Sequence, residues 1–183
     1  MKTQEFVIIE KAGKIIMENG LEALTVQNLS MGLKLNEHDL CPEITKDPDI
    51  LKILLRNLES ETRDLIQTFT QNRESPETEL TLLFKRLYFL FLQKPYYLPL
   101  IFDKRSHKGE GGIHQYKLRM KKMAVDYLSM LINAGKKENT FKTNESSEAL
   151  VARLLSGFQL LMRDEEIADG MIRELNTLRT QKD

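Results

Sequence analysis

The stretch Thr25–Asp47, TVQNLSMGLKLNEHDLCPEITKD, decides how the rest of the chain is read. Val26, Leu29 and Leu33 follow Thr25 at helical spacing, and the Thr25 hydroxyl can accept from an unpaired amide of the first turn. A break falls around Lys34 to Asn36. Leu40 and Ile44 then predict a third short helix. Asp47-Pro48 opens a long fourth helix, with Asp47 as N-cap and Pro48 at the first helical position, where its missing amide costs nothing.

Working outward, Thr3 to Asn19 carries Val7, Ile8, Ala12, Ile15 and Ile16 on one face, and Gly20 ends that helix. The fourth helix presents Ile50, Leu51, Leu54, Leu55, Leu58, Leu65 and Phe69. Asn72 to Pro76 is a loop, and Ser75-Pro76 starts a fifth helix reaching about Lys94 with Leu80, Leu83, Phe84, Leu87, Tyr88 and Phe91. Pro95 and Pro99 bracket a short element at Tyr96 to Phe102, and the glycine-bearing, basic stretch Asp103 to Gly112 reads as flexible. A long helix from about Ile113 to Ala134 buries Tyr116, Met120, Met123, Tyr127, Met130 and Leu131, and Gly135 closes it. Asn144 or Ser146 caps a helix with Leu150, Leu154 and Leu161, and a last helix spans roughly Glu165 to Arg179 with Met171 and Leu175. No alternating run carries hairpin chemistry, so the fold class is all-α.

Composition narrows the function classes. The 183 residues are 41% hydrophobic and 30% charged, an ordinary globular balance rather than a disordered one. The single cysteine, Cys41, allows no internal disulfide and agrees with a reducing compartment. The polar start has no apolar signal region. The most apolar run, Leu80 to Leu92, is interrupted by Lys85 and Arg86 and is too short to span a bilayer. A soluble, cytoplasmic protein is expected. Net charge is zero, yet residues 1–50 hold five lysines, no arginine and nine acids, so the N-terminal quarter is acidic.

Three short helices, the last two joined by a tight break, then a long helix and a helical body: this order resembles the tetracycline-repressor (TetR) family. Thr25, Val26, Leu29, Leu35, Asn36, Leu40 and Ile44 match its helix-turn-helix skeleton without a gap, and Ala12, Ile15, Ile16 and Gly20 match the run before it. In motif the resemblance covers about residues 7–55; in architecture it covers the whole chain. It implies an N-terminal three-helix helix-turn-helix unit (1–46) and a C-terminal helical bundle for ligand binding and dimerisation (47–183). The function it implies is that of a ligand-responsive transcriptional regulator of the repressor type.

The departures are equally specific. Cys41 stands where the family has a DNA-contacting Tyr, Glu43 replaces a His, Asp47 replaces a backbone-approaching Lys, and Lys34 replaces the turn Gly. Pro42 falls inside the expected recognition helix, Asn36 to Ile44, where an interior proline costs roughly 3 kcal/mol. That segment holds Glu37, Asp39 and Glu43 and no Lys or Arg, although phosphate binding rests on cations. If double-stranded DNA is bound, Thr25, Gln27, Asn36, Glu37, His38 and Lys46 are the contacts by position. The alternative is a dimeric ligand- or protein-binding module that kept the fold and lost DNA reading.

In the body, Phe84, Tyr88, Phe91, Tyr116, Met120 and Met123 are the candidate lining of a small apolar ligand site, since Met is adaptable and Tyr has a polar tip. A stripe of this kind also serves as plain core. Leu150, Leu154, Leu161, Met171 and Leu175 give the terminal helices broad apolar faces, and the resemblance assigns them to a homodimer interface. The basic residues Lys104, Arg105, Lys108, Lys117, Arg119, Lys121 and Lys122 read as a solvated loop and helix face. His38, His107, His114 and Cys41 have no metal-ligand spacing, Gly109–Gly112 lacks the residues of a phosphate loop, and Ser156-Gly157 lies within a helix. No enzyme activity, metal or cofactor is expected.

Overall fold

The structure, a computed structural model, describes residues 2–72, 74–102 and 111–161. Its elements are α1 (Lys2–Asn19), α2 (Val26–Leu33), α3 (Asp47–Asn72), α4 (Pro76–Gln93), α5 (Tyr97–Phe102), α6 (Gly111–Lys137) and α7 (Ser147–Leu161). Two 3-10 turns, Leu21–Ala23 and Glu37–Asp39, flank α2, and no strand occurs among the described residues. The helix expected from Glu165 to Arg179 lies outside them. The chain divides into two compact units: one takes the chain up to Glu61 with Lys94–Arg119, the other takes Thr62–Gln93 and the chain from Met120 onward.

In the first unit α1 buries Ile8, Ile9, Ala12, Ile15 and Ile16. Val7 was expected on this face but is exposed, because the helical turn aims position 9 inward in its place. Gly13 is needed for packing: a Cβ there would lie 2.5 Å from the Tyr96 ring. Gly20, at φ 84°, ends α1 in a conformation that favours glycine. Thr25 caps α2 as expected, its Oγ1 accepting the Asn28 amide at 3.1 Å, and α2 buries Leu29 completely. Lys34 takes the left-handed position after α2 at φ 57°, so the backbone keeps the turn even with a lysine in the glycine's place.

The third helix of the sequence reading does not form. Between Asn36 and Ile44 the only regular structure is the 3-10 turn Glu37–Asp39. Several local choices oppose a helix here. Pro42 restricts Cys41 and donates no amide. Asn36 Nδ2 donates to Asp39 Oδ2 at 2.8 Å, a side-chain bond that competes with backbone pairing. Leu40 and Ile44 are still buried, so both anchor the segment as expected without a helix between them.

The start of α3 also differs from expectation. The Asp47 carboxylate does not cap its own helix: its Oδ1 accepts the Val26 amide of α2 at 2.7 Å. Asp49 Oδ2 instead accepts from the Thr45 amide (3.1 Å), the Thr45 hydroxyl (2.9 Å) and the Lys46 amide (3.2 Å). Along α3, Ile50, Ile53, Leu54, Leu55 and Leu58 are buried and Leu51 is half-buried. Asn57 Nδ2 donates to the buried Tyr97 hydroxyl at 2.6 Å, and Lys94 pairs with Glu61 at 2.6 Å. Arg119 grips the buried Glu59 through Nε and Nη2 at 3.0 and 2.9 Å while lying 4.3 Å from the Tyr116 ring centre.

In the second unit Ser75 caps α4, accepting the Thr78 amide at 3.3 Å. Phe69, Leu80, Leu83, Phe84, Phe91, Tyr127, Leu128, Leu131, Ile132, Phe141, Leu150 and Val151 are buried. Met130, expected among them, is exposed. Gly135 does not close α6. The helix runs on to Lys137, and the glycine is required for packing instead: the Phe141 ring sits 2.2 Å from where a Gly135 Cβ would be. Asn139, at φ 57°, supplies the left-handed stop instead, and Thr140 donates back to the Gly135 carbonyl at 2.8 Å. Ser146, one of the two expected caps, accepts the Ala149 amide at 3.1 Å.

Candidate functional site

The six positions expected to face DNA fall into two groups. Thr25, Gln27 and Lys46 lie at the N-terminus of α2, drawn together by the Val26–Asp47 bond, with Gln27 and Lys46 exposed and Thr25 half-buried by its capping role. Asn36, Glu37 and His38 form the exposed 3-10 turn after α2. Glu37 and His38 make no side-chain hydrogen bond among the described residues, so both are available to a partner.

The electrostatics of this face are set by carboxylates already engaged. Glu43 pairs with Arg56 Nη1 at 2.8 Å, and Glu5 pairs with Nη2 at 2.8 Å. The Glu5 bond and then the Glu43 bond raise the Arg56 pKa against the opposing effect of burial, so this cation is spent inside the unit. Burial works to raise the Asp49 pKa, but bonds from Lys52 and Thr45 outweigh it and hold the carboxyl at about 2. Asp47 occupies the N-terminal amide of α2, where a helix end would otherwise favour an incoming anion. Asp39, Glu43, Asp47 and Asp49 thus act first as folding groups. Sequence reading missed the Asp47 role, since a cap reached across 21 positions leaves no local spacing.

The candidate ligand-lining residues divide between the units. Tyr116 belongs to the first, stacked under Arg119. Phe84, Tyr88, Phe91, Met120 and Met123 belong to the second; there the two phenylalanines are buried and Tyr88, Met120 and Met123 are half-buried. The second unit also holds a pair that periodicity missed. Glu79, on the inward face of α4, is 6% exposed and accepts a hydrogen bond from the Tyr127 hydroxyl of α6. Burial first, then that bond, pushes the Tyr127 phenol far above its ordinary range and keeps it a donor. The signal was present as a Glu one turn before Leu83 in an otherwise greasy helix. Of the dimer candidates, Leu150 is buried and Leu154 half-buried; the Leu161 side chain, Met171 and Leu175 lie outside the described residues. Among the described residues no cluster of three or more His, Cys, Asp or Glu could hold a metal, and no helix is long and apolar enough to cross a membrane.

By sequence, no protein-family model matches the chain and no curated protein is significantly similar to it. Solved structures are similar over nearly its whole length. The fatty acid degradation regulator FadR from Bacillus halodurans aligns at TM-score 0.77 with 12% identity, over 98% of this chain and 96% of that one. AibR, solved with isovaleryl coenzyme A and operator DNA, aligns at 0.75 with 15% identity over 92% and 96%. A transcriptional regulator of the TetR/AcrR family from Thermobifida fusca aligns at 0.72 with 13% identity over 99% of both. The fold is therefore the all-α TetR-like fold, in agreement with the expectation from Thr25–Asp47.

Proposed function

We propose that this protein is a ligand-responsive transcriptional regulator, cytoplasmic and homodimeric. Residues 1–46 would meet double-stranded DNA and residues 47–183 would bind a small apolar ligand and the second subunit. The observation that supports this reading is likeness over 92% of the chain, too much of it to leave out residues 1–46, to AibR, which was solved with operator DNA. On this chain the DNA contacts would come from Gln27 and Lys46 at the α2 N-terminus and from Asn36, Glu37 and His38 in the turn. Glu37 can accept from a cytosine amine in the major groove, and Asn36 can pair with adenine. The ligand biases the spacing of two such units in the dimer.

A second reading is favoured by one specific observation: the segment that should read bases has no α-helix and no cation of its own between Asn36 and Ile44. On that reading the protein is a dimeric binding module that does not engage DNA. Capture of its own genomic fragments by the purified protein across a salt series separates the two. Specific fragments held at low salt and shed as salt rises are expected for the regulator. A folded dimer that holds none, even at the lowest salt, contradicts it.

A further inference from the structure

Of the two buried acids, Glu59 and Glu79, only Glu79 has no counter-charge among the described residues. The other buried acid, Glu59, has a two-pronged bond from Arg119. Glu79 has the Tyr127 hydroxyl on Oε1 and, among the described residues, no cation and no hydrogen bond to Oε2. Its position in the first turn of α4 gives it the favourable end of that helix, which offsets only part of the cost of removing a carboxylate from water.

Apolar side chains stand at helical spacing from both members of this pair. On α4, Leu83 and Phe84 follow Glu79 by one turn; on α6, Met123 and Met120 precede Tyr127 by one and two turns, and both methionines are only half-buried. All six residues belong to the second unit. A largely buried carboxylate with one oxygen held by Tyr127 and no cation partner among the described residues, on helices that also carry adaptable apolar side chains, suits a ligand with an apolar body and a cationic or strongly hydrogen-bond-donating head.

We propose that Glu79, with Tyr127 holding its Oε1, is the polar anchor of the ligand site and selects amines or ammonium groups over carboxylates. This rests on reading residues 47–183 as ligand-binding and adds the chemical class of the ligand. Tyr127, unable to ionise near neutral pH, fixes the carboxylate and leaves Oε2 to receive the ligand's N–H.

The test compares three probes of equal chain length on the full-length protein at neutral pH: decylamine, decanol and decanoate, by calorimetric titration. Decylamine is expected to bind at least tenfold tighter than decanoate. Glu79→Gln should weaken the amine at least tenfold and raise the apparent Tm of the ligand-free protein, or leave it unchanged. Tyr127→Phe should weaken it by a smaller factor. Decanoate binding as tightly as decylamine, no decylamine binding, or an amine affinity unchanged in Glu79→Gln would each overturn the proposal. The probe comparison on the unsubstituted protein decides the matter even if Glu79→Gln fails to fold. Genomic fragments retained by a protein indifferent to decylamine would sink this inference alone. Amine binding by a protein that retains no DNA would instead sink the regulator reading.

Discussion

Two neighbouring segments, Val26–Leu33 and Asn36–Ile44, carry similar apolar spacing, yet only the first is an α-helix. The first has a threonine cap, the far carboxylate of Asp47 on its leading amide, and a left-handed exit at Lys34. The second has a proline near its middle and side chains that bond within the turn or out to α3. Apolar periodicity places anchors; caps and backbone chemistry decide whether a helix joins them.

The largest effect is expected from Leu29→Ala. Leu29 is fully buried, and the truncation should destabilise the protein by about 3 kcal/mol in urea unfolding. The same change at the exposed Leu35 should fall within about 0.5 kcal/mol. Equal costs at the two sites would mean that burial does not set the effect of truncation in this unit.

Next comes the Asp49 junction. Its carboxyl sits at about 2 in the folded protein against 3.8 ordinarily. A depressed folded pKa contributes stability that is present above about 4 and lost as pH falls toward 2. Asp49 should therefore supply about 2 kcal/mol at neutral pH. Asp49→Asn should remove that amount and flatten the stability profile between pH 4 and 2; a profile still as steep there would locate the acid sensitivity elsewhere.

Thr25→Ala should cost about 1 kcal/mol by removing the α2 cap, while Thr25→Ser should be close to neutral. Smallest is Pro42→Ala. Because Asn36–Asp39, Glu43–Arg56 and Thr45–Asp49 also hold the segment, far-ultraviolet circular dichroism should gain no measurable helix. A gain of two turns would make proline the sole cause.

Much of this was legible in the chain itself. The Thr25 cap, the Gly20 stop, the Ser75 start and the faces of α3 and α4 are local signals, and local spacing reads them. The exits at Lys34 and Asn139 were less visible, since a left-handed residue other than glycine leaves no compositional mark. Gly135 misled because glycine serves two purposes, and here the close Phe141 ring, not a turn, requires it. Asp47 on Val26 and Tyr127 on Glu79 join positions far apart in sequence, so no window could pair them. The same limit hid how the candidate ligand residues would divide, with Tyr116 in one unit and the other five in the second.

On the proposed function the acidic N-terminal unit would still read DNA. The most direct measurement is genomic-fragment capture at low salt by the native protein beside a Gln27→Ala, Asn36→Ala variant, both verified as folded by their melting curves. These two exposed side chains should carry base contacts, so the account predicts fragments enriched by the native protein and lost, at least tenfold, by the variant. No enrichment by the native protein, or enrichment that the variant fully keeps, would contradict it.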